Sequence, residues 1–193
     1  MVVMVVALAG VLVVLFVVIV ILVQIAILAS RYKKVPPNKA MVVYGHRMMD
    51  GKGYLIVTGG GKFIMPVIEQ YAFLPLDVRT LDIDLDNVTV DTAAGPRKAR
   101  VKATAMFKIS SEPTALDAAA EHLLGKPDAE IEGIARTILE GALRGLLSSM
   151  AFEKVGSDRD AVALGIQQRA GSDLMGMGLE VRSFVFKELA IKG

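Results

Sequence analysis

Three short stretches hold residue types that could do chemistry. "GGGK" (Gly59–Lys62) has the glycine-then-lysine order of a phosphate loop, which cradles phosphate on successive backbone N–H groups. That loop needs a glycine five positions before Gly61 and a serine or threonine after the lysine. Ile56 and Phe63 stand there instead, so the stretch reads as a turn with positive φ. "DIDLDN" (Asp82–Asn87) opens like a calcium loop, but Asn87 and Ala93 occupy the places of the required glycine and the closing carboxylate. Its apolar residues alternate with the aspartates, as on a strand with one solvated face. His46 and His122 are the two histidines and lie far apart in sequence, neither near an acidic cluster. With no cysteine there is no thiol nucleophile, thiolate metal site or disulfide. No catalytic constellation, metal site or cofactor site emerges, and the chain reads as non-catalytic.

The elements that would position any site begin with an apolar tract. All 22 basic and 20 acidic side chains of the 193-residue chain lie beyond residue 30. From Met1 to Ala29 the one side chain with strong hydrogen-bonding groups is Gln24. About 29 helical residues reach ~43 Å, and a bilayer's hydrocarbon core needs only ~20 residues. A signal peptide has a basic start and a shorter apolar run, so 1–30 reads as a transmembrane anchor. Arg31, Lys33, Lys34 and Lys39 follow it directly. The positive-inside rule then gives a single-pass protein of the cell membrane with its C-terminal domain in the cytoplasm. Tyr32 belongs at the interface, and the cations can meet anionic headgroups. Pro36 and Pro37 stiffen a basic linker over 31–39 and favour extended backbone. The net charge of +2 argues against nucleic acid as a partner, since phosphate binding needs a basic face.

Beyond the linker the pattern is α+β. "AMVVYGHR" (Ala40–Arg47) and "YLIV" (Tyr54–Val57) read as strands about a turn. "TGGGKFIMPVI" is a turn leading into an apolar stretch poorly suited to a solvent loop. "VRTLDIDLD" puts Leu81, Ile83 and Leu85 on one face, with Asp82, Asp84 and Asp86 on the other. Lys98–Ser110 alternates too, with Val101, Ala103, Ala105, Phe107 and Ile109 inward, and "TAAGPR" joins the two as a hairpin. The outer faces, acidic at Asp82, Asp84 and Asp86 and basic at Lys98, Lys102 and Lys108, are candidates for pairing between neighbouring subunits.

A helix is expected from Pro113 to Gly125 and a second from Pro127. Ile131, Ile134, Ala135, Ile138, Leu139, Ala142, Leu146, Leu147 and Met150 mark the buried face of the second. Ser157 is a plausible N-cap for a third, with Leu164, Ile166, Ala170 and Leu174 as its apolar residues. The closing strand carries Leu179, Val181, Phe184 and Phe186 inward, and the change of parity at Ser183 predicts a bulge. The domain thus divides into a β-rich half over 40–110 and a helical half with a closing strand over 111–190.

The order of "PNKAMVVYG", "GGGKFIMPVIEQYAFLPL", "ARVKATAMFKIS", "LLGKPDAEIEGIARTILEGALRGLLSSMAFEKVGSDRDAV" and "GLEVRSFVFKEL" after a membrane segment carries a resemblance. It is similar to the flotillin branch of the SPFH superfamily (stomatin, prohibitin, flotillin and HflK/C), also called band 7. The resemblance covers about residues 36–190. It implies an antiparallel sheet with helices packed on it, carried on the membrane face without catalytic activity. It implies homo-oligomerisation into a large ring or cage that organises lipid and protein microdomains, the ordered-lipid "rafts". In prokaryotes it implies an NfeD-type membrane partner. The half nearest the membrane dips into the leaflet in this branch, which assigns lipid contact to Phe63, Ile64, Met65, Pro66, Val67, Ile68, Phe73 and Leu74, beside Arg31, Tyr32, Lys33 and Lys34. Packing of that stretch into the core is the alternative. The branch's C-terminal coiled coil is absent from this chain. Animal members use acylated cysteines, so a transmembrane helix without cysteine fits a prokaryotic member. A regulatory subunit that controls a membrane protease or channel is the rival function, and it would bring a stoichiometric partner.

Overall fold

The computed structural model describes residues 2–45, 53–92, 95–150, 155 and 158–191. Helix α1 (Val2–Arg31) takes up the whole apolar tract. Its residues Leu12–Arg31 are long and apolar enough to cross a membrane, and none of that stretch is buried against the domain. β-branched residues dominate α1, yet a single segment in lipid can satisfy its backbone only as helix.

The domain follows without a free linker. Strand β1 (Tyr32–Lys34) begins at the residue after α1 and pairs antiparallel with β4 (Gly61–Phe63). The prolines expected to extend the chain lead instead into a turn, in which the Lys39 N–H donates to the Pro36 carbonyl at 3.1 Å. Strand β2 (Lys39–Tyr44) is the centre of a three-stranded antiparallel sheet, between β3 (Tyr54–Thr58) and β5 (Gln70–Pro75). It ends earlier than the expected Ala40–Arg47, at a bend on Gly45. His46, Arg47 and the turn after them lie outside the described residues.

A second three-stranded antiparallel sheet has the order β6 (Arg79–Thr92), β7 (Gly95–Ile109), β8 (Leu179–Ile191). The hairpin of β6 and β7 is longer than its alternating core suggested. The register shifts between Leu85 and Val88, where Asn87 takes a positive φ of 61°. That one extra residue restores the inward face, so Val88 and Val90 are buried like Leu81, Ile83 and Leu85. In β8 the shift near Ser183 is present: Val181 faces Phe107 and Ser183 faces Met106, leaving Arg182 as the extra residue. A second shift, at Lys187, has no counterpart in the sequence reading.

Helices α2 (Pro113–Leu123), α3 (Asp128–Leu147) and α4 (Arg159–Gly176) begin near the expected signals. Proline occupies the first turn of α2, and Pro127 is the N-cap of α3. The N-cap of α4 is Asp158, whose carboxylate accepts the Ala161 N–H; the expected Ser157 lies outside the described residues. The stripe of α3 is narrower than expected: Ile131, Ala135, Leu139, Leu143 and Leu147 are buried, while Ile134, Ile138, Ala142, Leu146 and Met150 pack partly exposed around them. On α4 the stripe runs Val162, Ile166, Ala170, Leu174, and Leu164 is 55% exposed. A spacing of two cannot keep Leu164 and Ile166 on one helical face.

One core joins these parts. It contains Ala40, Val42 and Leu74 from the first sheet, the inward residues of β6–β8, and the stripes of all three domain helices. Gly178 closes it. It has a φ of +80°, and a Cβ there would stand 2.5 Å from the Ala115 carbonyl oxygen on α2. Gly178→Ala combines left-handed strain with overpacking, each worth about 1–3 kcal/mol. The expected result is a fall of several degrees or more in the thermal midpoint of the full chain in nanodiscs; an unchanged midpoint would show that the turn can relax.

Candidate membrane-contacting site

The site is built where α1 meets the domain. A helix leaves its last carbonyls without intrahelical donors. Here the Ile64 N–H donates to the Arg31 carbonyl at 3.0 Å, and the Ser30 hydroxyl donates to the Ile27 carbonyl at 2.7 Å. The register Tyr32↔Phe63, Lys33↔Lys62 and Lys34↔Gly61 continues the junction, and the Val35 N–H reaches the Gly60 carbonyl at 2.9 Å. Gly61 has to be small, because a Cβ there would lie 2.7 Å from the Tyr32 ring and 2.8 Å from the Lys33 carbonyl oxygen.

The loop after β4 is thereby held against the end of α1. It turns on itself, with the Ile68 and Glu69 N–H groups donating to the Met65 carbonyl at 3.0 and 2.7 Å. Glu69 clamps it. Its carboxylate accepts Lys62 Nζ at 2.9 Å through one oxygen and the Met65 N–H at 3.0 Å through the other. The lysine of "GGGK" is therefore a structural ion pair across the loop.

The expected lipid-contacting residues divide. Val67 is 94% exposed at the loop tip, with Phe63, Met65, Pro66 and Ile68 exposed around it. Ile64 and Leu74 are buried. Ile64 packs with Val35, Met41 and Val43 in a second small core, and Leu74 belongs to the main one. Strand alternation causes this: β2 is covered on both faces, so Ala40 and Val42 look one way while Met41 and Val43 look the other. Phe73 sits opposite Met41 and Tyr71 opposite Val43. Their rings meet edge to face with centroids 5.6 Å apart, and Lys33 and Lys39 stand about 6 Å from Tyr71 and Phe73 respectively. Tyr32 is half exposed beside them. The sequence reading missed Tyr71 and the Lys62–Glu69 clamp. The i, i+2 spacing of Tyr71 and Phe73 was a usable strand signal, whereas a pair seven residues apart across a turn had none.

The charged face lies on the other sheet. Its acidic and basic residues share one exposed surface and answer one another within the chain. Asp84 receives Arg100 through two bonds, at 3.1 and 2.6 Å. Asp86 stands 3.4 Å from the same guanidinium. Asp82 accepts Lys187 at 2.7 Å and Thr104 at 2.6 Å, the lysine reaching across β7 from its bulge. Lys102 pairs with Glu188 at 2.6 Å and Lys108 stands 3.9 Å from Glu180. Lys98, opposite Thr89, has an exposed side chain. The hydrogen bond from Lys187 holds the Asp82 carboxyl below its ordinary range, Arg100 does the same for Asp84, and Arg182 for Glu180. Among the described residues no group of three or more His, Asp or Glu side chains could hold a metal.

Among the described residues one helix is long and apolar enough to cross a membrane, and it runs straight into an α+β domain, the architecture of a membrane-associated protein. The SPFH domain / Band 7 family model matches residues 33–191, and the chain belongs to that family. The Flotillin-like protein FloT of Bacillus subtilis (strain 168) is 33% identical over 176 residues, 87% of this chain and 34% of that protein. Flotillin-1 of Drosophila melanogaster is 35% identical over 154 residues, and Flotillin-1 of Homo sapiens 32%. Each alignment covers 79% of this chain and 35% of the relative. The flotillin-like resemblance read in the sequence stands, and the chain spans about a third of the length of these relatives.

Folding lowers the carboxyl pKa of Asp82, so its bonds stabilise fully above the ordinary carboxylate range and are lost as pH falls through the lowered value. Asp82→Asn should cause a small, salt-sensitive loss of thermal stability at pH 7. The wild-type and variant midpoints should converge on acidification past pH ~4; a gap independent of pH would sink the ionic explanation.

Proposed function

We propose that the chain is the anchored, non-catalytic part of a membrane scaffold. Its domain lies against the cytoplasmic leaflet, the exposed apolar loop enters that leaflet, and repeated lateral contacts build a ring or cage around a membrane patch. The observation that carries this reading is the exposed cluster Phe63, Met65, Val67 and Ile68, fixed to the end of a helix long enough to span. Sinking each such side chain into hydrocarbon is worth up to about 1.5–3 kcal/mol. Four of them acting beside a transmembrane anchor would set the domain's tilt and height. Those are the quantities that lateral assembly on a surface requires. The single-pass topology and cytoplasmic side rest on Arg31, Lys33, Lys34 and Lys39 immediately after the helix.

Charge pairing between neighbouring domains would have to compete with the internal partners of Asp82, Asp84, Lys102 and Lys108. Lateral contact is better served by the largely apolar, open groove on α3 lined by Glu130, Gly133, Ile134, Thr137 and Ile138. Such contacts are heterologous and close into a ring only if the rotation per subunit divides the circle.

Two experiments test the two parts. The chain has no tryptophan, so Val67→Trp is a unique reporter. In vesicles its emission should be blue-shifted and quenched by brominated acyl chains; water-like emission without quenching would remove the loop from the leaflet. Single-particle electron microscopy of protein extracted with its surrounding lipid should show large closed assemblies enclosing bilayer. Small uniform particles carrying a second protein in fixed ratio would instead select a regulatory subunit of a membrane protease or channel.

A further inference from the structure

Two cavities meet at the junction of α1 and the loop. One is an almost wholly apolar slot of about 340 Å³ between Ile27 and Leu28 on α1 and the Met65–Ile68 turn. The other is an open chamber of about 530 Å³ of mixed lining, with Lys33, Glu69 and Gln70 beside Tyr44 and Tyr71. Arg31, Ile64 and Pro66 line both. Each volume falls within the range of small-molecule sites.

The charges at the shared wall select the occupant. Among the described residues Glu69 is the one carboxylate lining the chamber, and its oxygens accept from Lys62 and from the Met65 N–H. The Lys62 ammonium offsets its charge. Arg31 has no carboxylate partner among the described residues, and with Lys33 it leaves the chamber cationic. A guanidinium suits a phosphate, which it can hold through two parallel bonds. Depth agrees with charge. Arg31 ends the spanning helix, at headgroup level, while Ile27 and Leu28 lie about one turn (~5 Å) deeper, in acyl-chain territory. A lipid already in the leaflet therefore matches both cavities without leaving its own depth. A free phosphate would leave the apolar slot empty.

We propose that this junction is a binding site for one anionic phospholipid, its phosphate on Arg31 and Lys33 and one acyl chain in the slot beside Leu28. The site rests on the membrane-apposed reading above, and it would make the loop's position depend on the local supply of anionic lipid.

The test uses the full chain in nanodiscs of mixed phosphatidylglycerol and phosphatidylcholine, with retained lipid counted by native mass spectrometry after mild extraction. Wild type should keep one phosphatidylglycerol per chain, preferred over phosphatidylcholine by about 25-fold, roughly fivefold for each of the two cations. Arg31→Gln should cut that preference about fivefold, leaving the share that Lys33 supplies, while the chain still floats with vesicles. Leu28→Trp, which fills the slot, should lose the retained lipid with Arg31 intact. Equal retention in wild type and Arg31→Gln would overturn the site and leave the anchor reading intact. Arg31-dependent binding of inorganic phosphate with no lipid retained would also overturn it. A chain that does not float with vesicles would overturn the anchor reading and the site together.

Discussion

A helix leaves its last carbonyls without intrahelical donors, and at the end of α1 the domain itself supplies one to Arg31. The bond from the Ile64 N–H to the Arg31 carbonyl joins residues 33 positions apart and makes helix and domain continuous. The three-residue pairing of β1 with β4 extends that connection, and Gly61 lets the strands approach. Everything near the membrane follows from this closure. The loop after β4 is tied to the end of α1, so its apolar residues stay beside the C-terminal turn of the apolar helix. A flexible tether of the same length would place no such constraint on the domain.

The second dependency is β2. It is buried on both faces, so one strand serves two cores: Ala40 and Val42 face the main one, Met41 and Val43 the small one beneath the loop. Packing in the body of the domain is thus coupled to packing beside the end of α1 through a single element. The Lys62–Glu69 pair sits at the edge of the small core, with both side chains largely covered. There it acts as a clamp on loop shape rather than as an ordinary exposed ion pair, which would contribute little.

The large antiparallel sheet solves a different problem. Its outer face carries many charges, and the strand register places opposite signs within reach of one another. The bulges are essential to this. The extra residue at Lys187 changes the parity of β8 and lets a lysine cross β7 to Asp82, while the irregularity at Asn87 keeps Val88 and Val90 inward. The face ends internally neutralised. Exposed apolar surface of the domain lies elsewhere, on α3 and on the loop at the end of α1.

Much of this was legible in the chain of residues. The apolar tract, the cations after it, the period-two hairpin and the three helix starts are local signals, each set by composition or by a cap within a few positions. The family resemblance is written in the same local order of motifs. Tertiary structure decided what depends on who sits opposite. Ile64 and Leu74 read as lipid-contacting, with core packing as the alternative, and both are buried: Ile64 against Val35, Met41 and Val43, and Leu74 through its place opposite Ala40. Leu164 read as core, but the face of α4 that meets α3 and the sheet runs through Val162 and Ile166. Lys102 and Lys108 read as candidates for pairing between subunits, and the register gives them partners on β8 within the chain as well. The slot beside Arg31 was invisible for the same reason: its walls come from segments more than thirty residues apart, and only the closure at the end of α1 brings them together.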